Sequence, residues 1–306
     1  MPLYLAVGGG GDVVMAAALA GEEAVGQIPW ERYVVDPEPG PVPPPSLREV
    51  LDLGNGLYLA TPRSFAERGG RLFKTQGMCV AEALQKSVYL VDPYRRPSEL
   101  AKALVRFDKI IGVDVGGDVL GVGCEESLRS PLADAYGLAV LAKASELGVE
   151  AELWVMSPGA DGELSLEYLI RRVAEAAREG GLLGTVGLDS KQVEVLEKLV
   201  KRCVTEASAV AVRSFKGEYG PAHIRGGARL VEIGACALIG FKFSPKALLK
   251  LNKAARLIYE SDAPIDKAAD LLIENGIPTE LHLEQLLAKG LDIYAALEEL
   301  KKKKSC

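Results

Sequence analysis

Apolar residues fall in short blocks along the first two thirds of the chain, and most blocks stop in glycine, proline or aspartate. Residues 3–7 are such a block, followed by Gly8, Gly9, Gly10, Gly11 and Asp12 and then an Ala-rich apolar run to Ala20. That order predicts a strand, a glycine turn and a helix. Residues 33–36 predict a second strand, which enters a proline-rich stretch over 37–45 that excludes helix and inner strand. Two short blocks, 50–53 and 57–60, flank Gly54-Asn55-Gly56 and predict a hairpin. Residues 61–80 carry no assignable period. Strands are predicted at 87–92, 109–115 and 150–156, and helices over 98–107, 165–179 and 189–205. Ser130 and Pro131 predict the cap and first position of a helix that runs to Gly148. From Ala207 the pattern is β-rich or irregular and carries Gly217, Gly220, Gly226 and Gly227. From Ser244 it is helical to the end, with Gly276 and Gly290 as C-caps.

Strands alternating with helices predict an α/β fold, a mostly parallel sheet covered on both faces. The expected division is an α/β domain over 1–243 and a helical C-terminal appendage over 244–306. At 48% hydrophobic and 25% charged residues, the composition is that of a soluble globular protein. No apolar run reaches membrane length and no basic segment precedes the first one, so a cytoplasmic protein without a membrane partner is expected. A net charge of −6 gives no footprint for nucleic acid. Residues 265–272 and 281–288 could pass for a helix-turn-helix around Gly276-Ile277-Pro278, but no positive charge clusters on them. Only three Asn and five Gln occur, and prolines crowd the loops, as in a thermophile. The five cysteines (79, 124, 203, 236, 306) form no C-x-x-C pair, which argues against zinc; they read first as buried small hydrophobes, with intracellular disulfides, as in hyperthermophiles, as the alternative.

Candidate chemistry gathers at two glycine turns. Gly8, Gly9, Gly10 and Gly11 stand between a strand and a helix start, where backbone N–H groups cradle an anion, most often phosphate. The dinucleotide fingerprint fails at Val13, and no Gly-Lys-Ser/Thr follows for a P-loop. Asp12 is a metal or substrate ligand or, equally, a first-turn carboxylate favoured by the helix dipole. Asp36 lies roughly where a ribose-binding acid would fall. In the second turn, Asp114 and Asp118 flank Gly116 and Gly117; two carboxylates beside backbone donors suit Mg2+ bridging to phosphate oxygens. Asp118 is also a candidate catalytic group. Asp161 and Glu163 read first as turn residues, with a place in the same crevice as the alternative. Asp134 reads as a first-turn helix acid. His223 and Arg225, in a glycine-bounded stretch, could act on or clamp a substrate. His282 reads as structural. A nucleophile elbow is absent, and no cysteine is visibly paired with a base.

The turn at residues 7–12, the segment Gly112-Val113-Asp114-Val115-Gly116-Gly117-Asp118 and the segment Ser130-Pro131-Leu132-Ala133-Asp134 together resemble an archaeal family catalogued as a domain of unknown function. The resemblance spans about residues 1–245 and implies a Rossmann-like three-layer sandwich, but no activity. The second turn is also similar to the Asp-Gly-Gly turn of D-glutamate cyclase-like lyases, departing from it at Asp118, where that pattern has Asn-Glu. The leading expectation is an enzyme that binds a phosphate-bearing small molecule or nucleotide with Mg2+. A lyase or hydrolase for a small carboxylate and a non-enzymatic ligand sensor are the alternatives, and self-association is left open.

Overall fold

A computed structural model describes residues 1–31 and 33–305. The chain opens with β1 (Pro2–Ala6), α1 (Asp12–Ala20) and β2 (Ala24–Gln27), then β3 (Leu47–Asp52), β4 (Leu57–Arg68) and β5 (Arg71–Phe73). Next come α2 (Gln76–Leu84), β6 (Val88–Val91), α3 (Pro97–Leu104), β7 (Lys109–Val115), α4 (Pro131–Glu146) and β8 (Glu150–Met156). They are followed by α5 (Leu166–Arg178), β9 (Leu182–Gly187), α6 (Ser190–Val200), α7 (Ala207–Phe215), β10 (Gly220–Ile224), β11 (Arg229–Ile233) and β12 (Ile239–Phe243). Five helices close the described chain: α8 (Pro245–Leu251), α9 (Lys253–Ser261), α10 (Ile265–Glu274), α11 (Glu280–Ala288) and α12 (Ile293–Lys301).

The main sheet runs β3-β4-β6-β2-β1-β7-β8-β12-β9, with β5 paired to β4. Its centre, β6-β2-β1-β7-β8, is parallel, whereas β3, β4, β12 and β9 add antiparallel flanks. From β1 the chain first moves outward to β2 and β6, then returns to β7 and β8 on the other side. The point of reversal therefore lies between β1 and β7, where a crevice opens beyond the strand ends. In register, Ala6 stands opposite Val113, so both glycine turns leave the sheet at the same edge.

Alternation along the strands sends Leu3, Leu5 and Ile110 into one core and Ala6, Ile111, Val113 and Val115 into another, one on each face. The fold is the expected α/β sandwich. Helix α4 is buried almost all round, as a helix must be when it lies between the sheet and a further layer. That layer is C-terminal: Ala254, Ala255, Ile258, Ile265, Ala268 and Leu272 belong to the same core as Leu3 and Tyr136.

Three local expectations are corrected. The second strand is β2, not residues 33–36; residues 33–35 form a turn, and buried Asp36 pairs with Arg68 at 2.8 Å. A ribose acid at that position is thereby overturned, since the carboxylate is spent on a guanidinium. The stretch from Ala207 begins as helix α7 before the β10–β11 hairpin. Cys79 and Cys203 form a disulfide, with Cα atoms 5.8 Å apart, instead of packing as free thiols. Among the described residues, no helix is long and apolar enough to cross a membrane.

Candidate functional site

At the reversal point a cavity of about 90 Å3 is walled by Gly9, Gly10 and Gly11, by Asp12, Asp114, Asp118, Asp134 and Asp161, and by Ser130, Thr205 and Arg225. Strand β7 delivers Asp114 from within its apolar run, and the turn behind it delivers Asp118. Asp12 is the first residue of α1 and Asp134 stands in the first turn of α4. Asp161 comes from the loop after β8. The starts of α1, α4 and α7 all reach the cavity, and each helix start favours negative charge.

The glycines are required by proximity more than by backbone angle. Among residues 8–11 none has a positive φ. Instead, a Cβ on Gly8 would lie 2.4 Å from Asp12 Oδ2 and 2.6 Å from Asp134 Oδ1. One on Gly11 would lie 2.9 Å from Thr205 Oγ1. Gly116 does have φ +117°, and a Cβ there would strike the Asp161 carboxyl at 2.5 Å. Gly117 (φ +109°) would strike Leu169 at 2.8 Å, so this glycine serves the turn and the core behind it.

Asp114 accepts weakly from the amides of Gly117 (3.4 Å) and Val119 (3.2 Å). The turn is braced from outside, because Asn252 Nδ2 donates to Val119 O at 2.9 Å and Arg172 Nε to Leu120 O at 2.7 Å. Ser130 does not cap α4 with its side chain, contrary to expectation; its hydroxyl faces Asp118 Oδ2 at 3.1 Å and Glu163 Oε1 at 2.6 Å. The amides of Leu132 and Ala133 are capped instead by the Glu280 carboxylate, at 3.0 and 2.8 Å. Glu163 is fully engaged: it pairs with Arg229 at 2.6 Å and accepts from the amides of Arg129 (2.6 Å) and Ser130 (3.1 Å).

Five carboxyls in so small a space raise one another's proton affinity. Burial, then repulsion from Asp161, pushes Asp114 up to about 7. Burial, followed by neighbouring carboxylates, also raises Asp12, Asp118 and Asp134 well above the usual range. Asp161 is raised by burial and by Glu163, less strongly because Arg229 opposes it. Burial would raise Glu163 too, but Arg229 and the Ser130 hydroxyl outweigh it and hold this group low. Three buried side-chain oxygens here have no hydrogen-bond partner among the described residues: Asp118 Oδ1, Asp134 Oδ1 and Thr205 Oγ1. Each such atom costs free energy unless something binds it.

Of the residues singled out in the sequence, Gly9, Gly10, Gly11, Asp12, Asp114, Asp118 and Arg225 meet at this cavity. Gly8 lies beneath it, and Gly116 gives Asp161 its room. His223 is not brought there. It sits on β10, exposed and opposite Leu230, while its neighbours Ala222 and Ile224 turn into a small core. His282 packs at a helix start, its ring nitrogen paired with Thr279 Oγ1 at 2.9 Å. Asp134 and Thr205 are the residues that sequence reasoning missed: the first looked like a dipole-favoured acid, and the second had no motif around it.

Over residues 3–288 the chain matches the model of a family described as "Protein of unknown function (DUF1152)". No curated protein and no solved structure matches it.

Proposed function

Since the chain belongs to this family of unknown function, whose description names no activity, we propose from the carboxylate cavity that it is an enzyme binding a phosphate-bearing small molecule with Mg2+. The supporting observation is the pair of partnerless carboxylate oxygens, Asp118 Oδ1 and Asp134 Oδ1, buried among further acids. The described side chains of the cavity that could ligate a cation all offer oxygen, the set a hard divalent cation takes. Asp12, Asp114 and Asp134 each offer one oxygen within 4.8 Å of the others, and the absent side chain of Gly8 leaves room for two of them. These residues fit the ion and would hold it. When bound, the cation supplies Lewis-acid polarisation of a phosphoryl oxygen. The chain's own groups do the rest: Gly9, Gly10 and Gly11 orient an anion at the start of α1, and Arg225 clamps it from the opposite wall. The acids are themselves buried, which strengthens each of these interactions.

Thermal melting against inorganic phosphate, pyrophosphate, AMP and small carboxylic acids, each with and without Mg2+, tests this reading. Phosphate compounds are expected to raise the melting temperature only when Mg2+ is present, by an amount that grows with ligand excess. Stabilisation by carboxylic acids alone, indifferent to Mg2+, would contradict it and favour a lyase or hydrolase acting on a small carboxylate.

A further inference from the structure

We propose that the cavity takes two divalent cations in unequal positions, the second completed by an oxygen of the bound phosphate. This rests on the reading above. Two separate triads of carboxylate oxygens, Asp12–Asp114–Asp134 and Asp118–Asp161–Glu163, each lie within 4.8 Å among themselves. Both triads touch the cavity, and each includes a carboxylate oxygen without a partner: Asp134 Oδ1 in one, with the residue 4% exposed, and Asp118 Oδ1 in the other, at 6%.

The triads differ in what they can still give. In the first, none of the three acids forms an ion pair with a described lysine, arginine or histidine. Asp114 accepts only two long backbone bonds, at 3.4 and 3.2 Å, and Asp12 accepts from backbone alone, so no side chain competes with a cation for these three carboxylates. In the second, Glu163 is consumed by Arg229, by the Ser130 hydroxyl and by two backbone amides. That leaves Asp118 and Asp161, two protein ligands where Mg2+ or Mn2+ takes about six oxygens. A position so open is filled by water or by the ligand itself, so its affinity depends on the ligand's presence.

Charge leads the same way. Among the described residues, five buried carboxylates share the cavity lining with one guanidinium, that of Arg225, while Arg229 behind Asp161 is paired with Glu163. One divalent cation leaves the wall net negative, and a phosphate entering it meets repulsion. Two cations bring the wall close to neutrality and let phosphate oxygens bridge them, the arrangement of two-metal phosphoryl sites. The first cation organises the acids, and the second arrives with its anion.

Equilibrium dialysis with Mn2+, read together with electron paramagnetic resonance, decides the matter. Inorganic phosphate is the probe, kept below the concentration at which manganese phosphate precipitates. The expected result is one Mn2+ per chain without phosphate and two with it, the second spin-coupled to the first. Asp161→Asn should retain the first ion and lose the phosphate-dependent one. One ion in both conditions overturns the second position while leaving the Mg2+ reading intact. Two ions without phosphate overturn the claim that the anion completes the site. No bound ion in either condition overturns both readings, whereas an Asp161→Asn protein that still takes two overturns the second position alone.

Discussion

Gly8 shows how one residue type can be read correctly for an incomplete reason. Four successive glycines after a strand announce a special turn, and the cavity is there. The demand on Gly8, however, comes from the carboxylates of Asp12 and Asp134 standing where a Cβ would be, and Asp134 lies 126 positions away by numbering. No local pattern carries that contact. For the same reason Asp134 reads in isolation as a helix-start acid, which by position it also is. Gly8→Ala should cost about 1–3 kcal/mol through overpacking and should greatly weaken Mn2+ binding, because both acids must move; urea unfolding and a Mn2+ titration check the two effects. The acids also set a pH dependence. Their proton affinity is raised on folding, so the folded chain keeps protons that the unfolded chain has released. Stability without cation is then highest in mild acid and falls as pH rises from about 4 through the value near 7 held by Asp114. Saturating Mg2+ should flatten that decline, and urea unfolding across the range, with and without the ion, checks it.

At the scale of elements, period and punctuation served well where an element is long or central. β7 and β8 fall within the blocks that predict them, and α4 starts at its proline. The misses have separate causes. β2 is only four residues long and carries Gly26, whose missing side chain lets Leu3 and Leu5 pack against it. β9 alternates intermediate and exposed positions as an edge strand, so it offers no apolar block to read. α7 was masked by the glycine-rich hairpin behind it. The start of α4 depends on a partner from another element: Glu280, at the head of α11, caps it in place of Ser130. Burial raises the Glu280 carboxyl to about 8, against the pull of the two amides. Glu280→Ala should destabilise the fold by about 1–2 kcal/mol, and Glu280→Gln by less, since its amide oxygen can still accept; urea unfolding of both variants separates loss of the cap from loss of charge.

For the whole molecule, the predicted layers are present, yet the C-terminal helices are less apart than an appendage. Their apolar faces complete the core around α4, Asn252 holds the turn beyond Asp118, and Glu280 caps the helix that carries Asp134. The Cys79–Cys203 disulfide ties α2 to the segment that leads into Thr205, across a sequence separation of 124. A closed loop of that size should make the bridge worth about 2–5 kcal/mol, measured as the loss of stability in a Cys79→Ala, Cys203→Ala double variant. These long-range ties make the melting temperature a sensitive reporter of the central cavity. Asp118 lies in the middle of it, accepting one hydrogen bond from Ser130 and repelled by four neighbouring acids. The most direct test is a pair of melting curves, wild type against Asp118→Asn, each with and without Mg2+ and inorganic phosphate. Asp118→Asn should melt at the same temperature as the wild type or higher when nothing is bound, and should lose the further rise that phosphate adds in the presence of Mg2+. A variant that melts lower in the absence of Mg2+ and phosphate, yet keeps the full rise, would contradict a ligand site at this carboxylate.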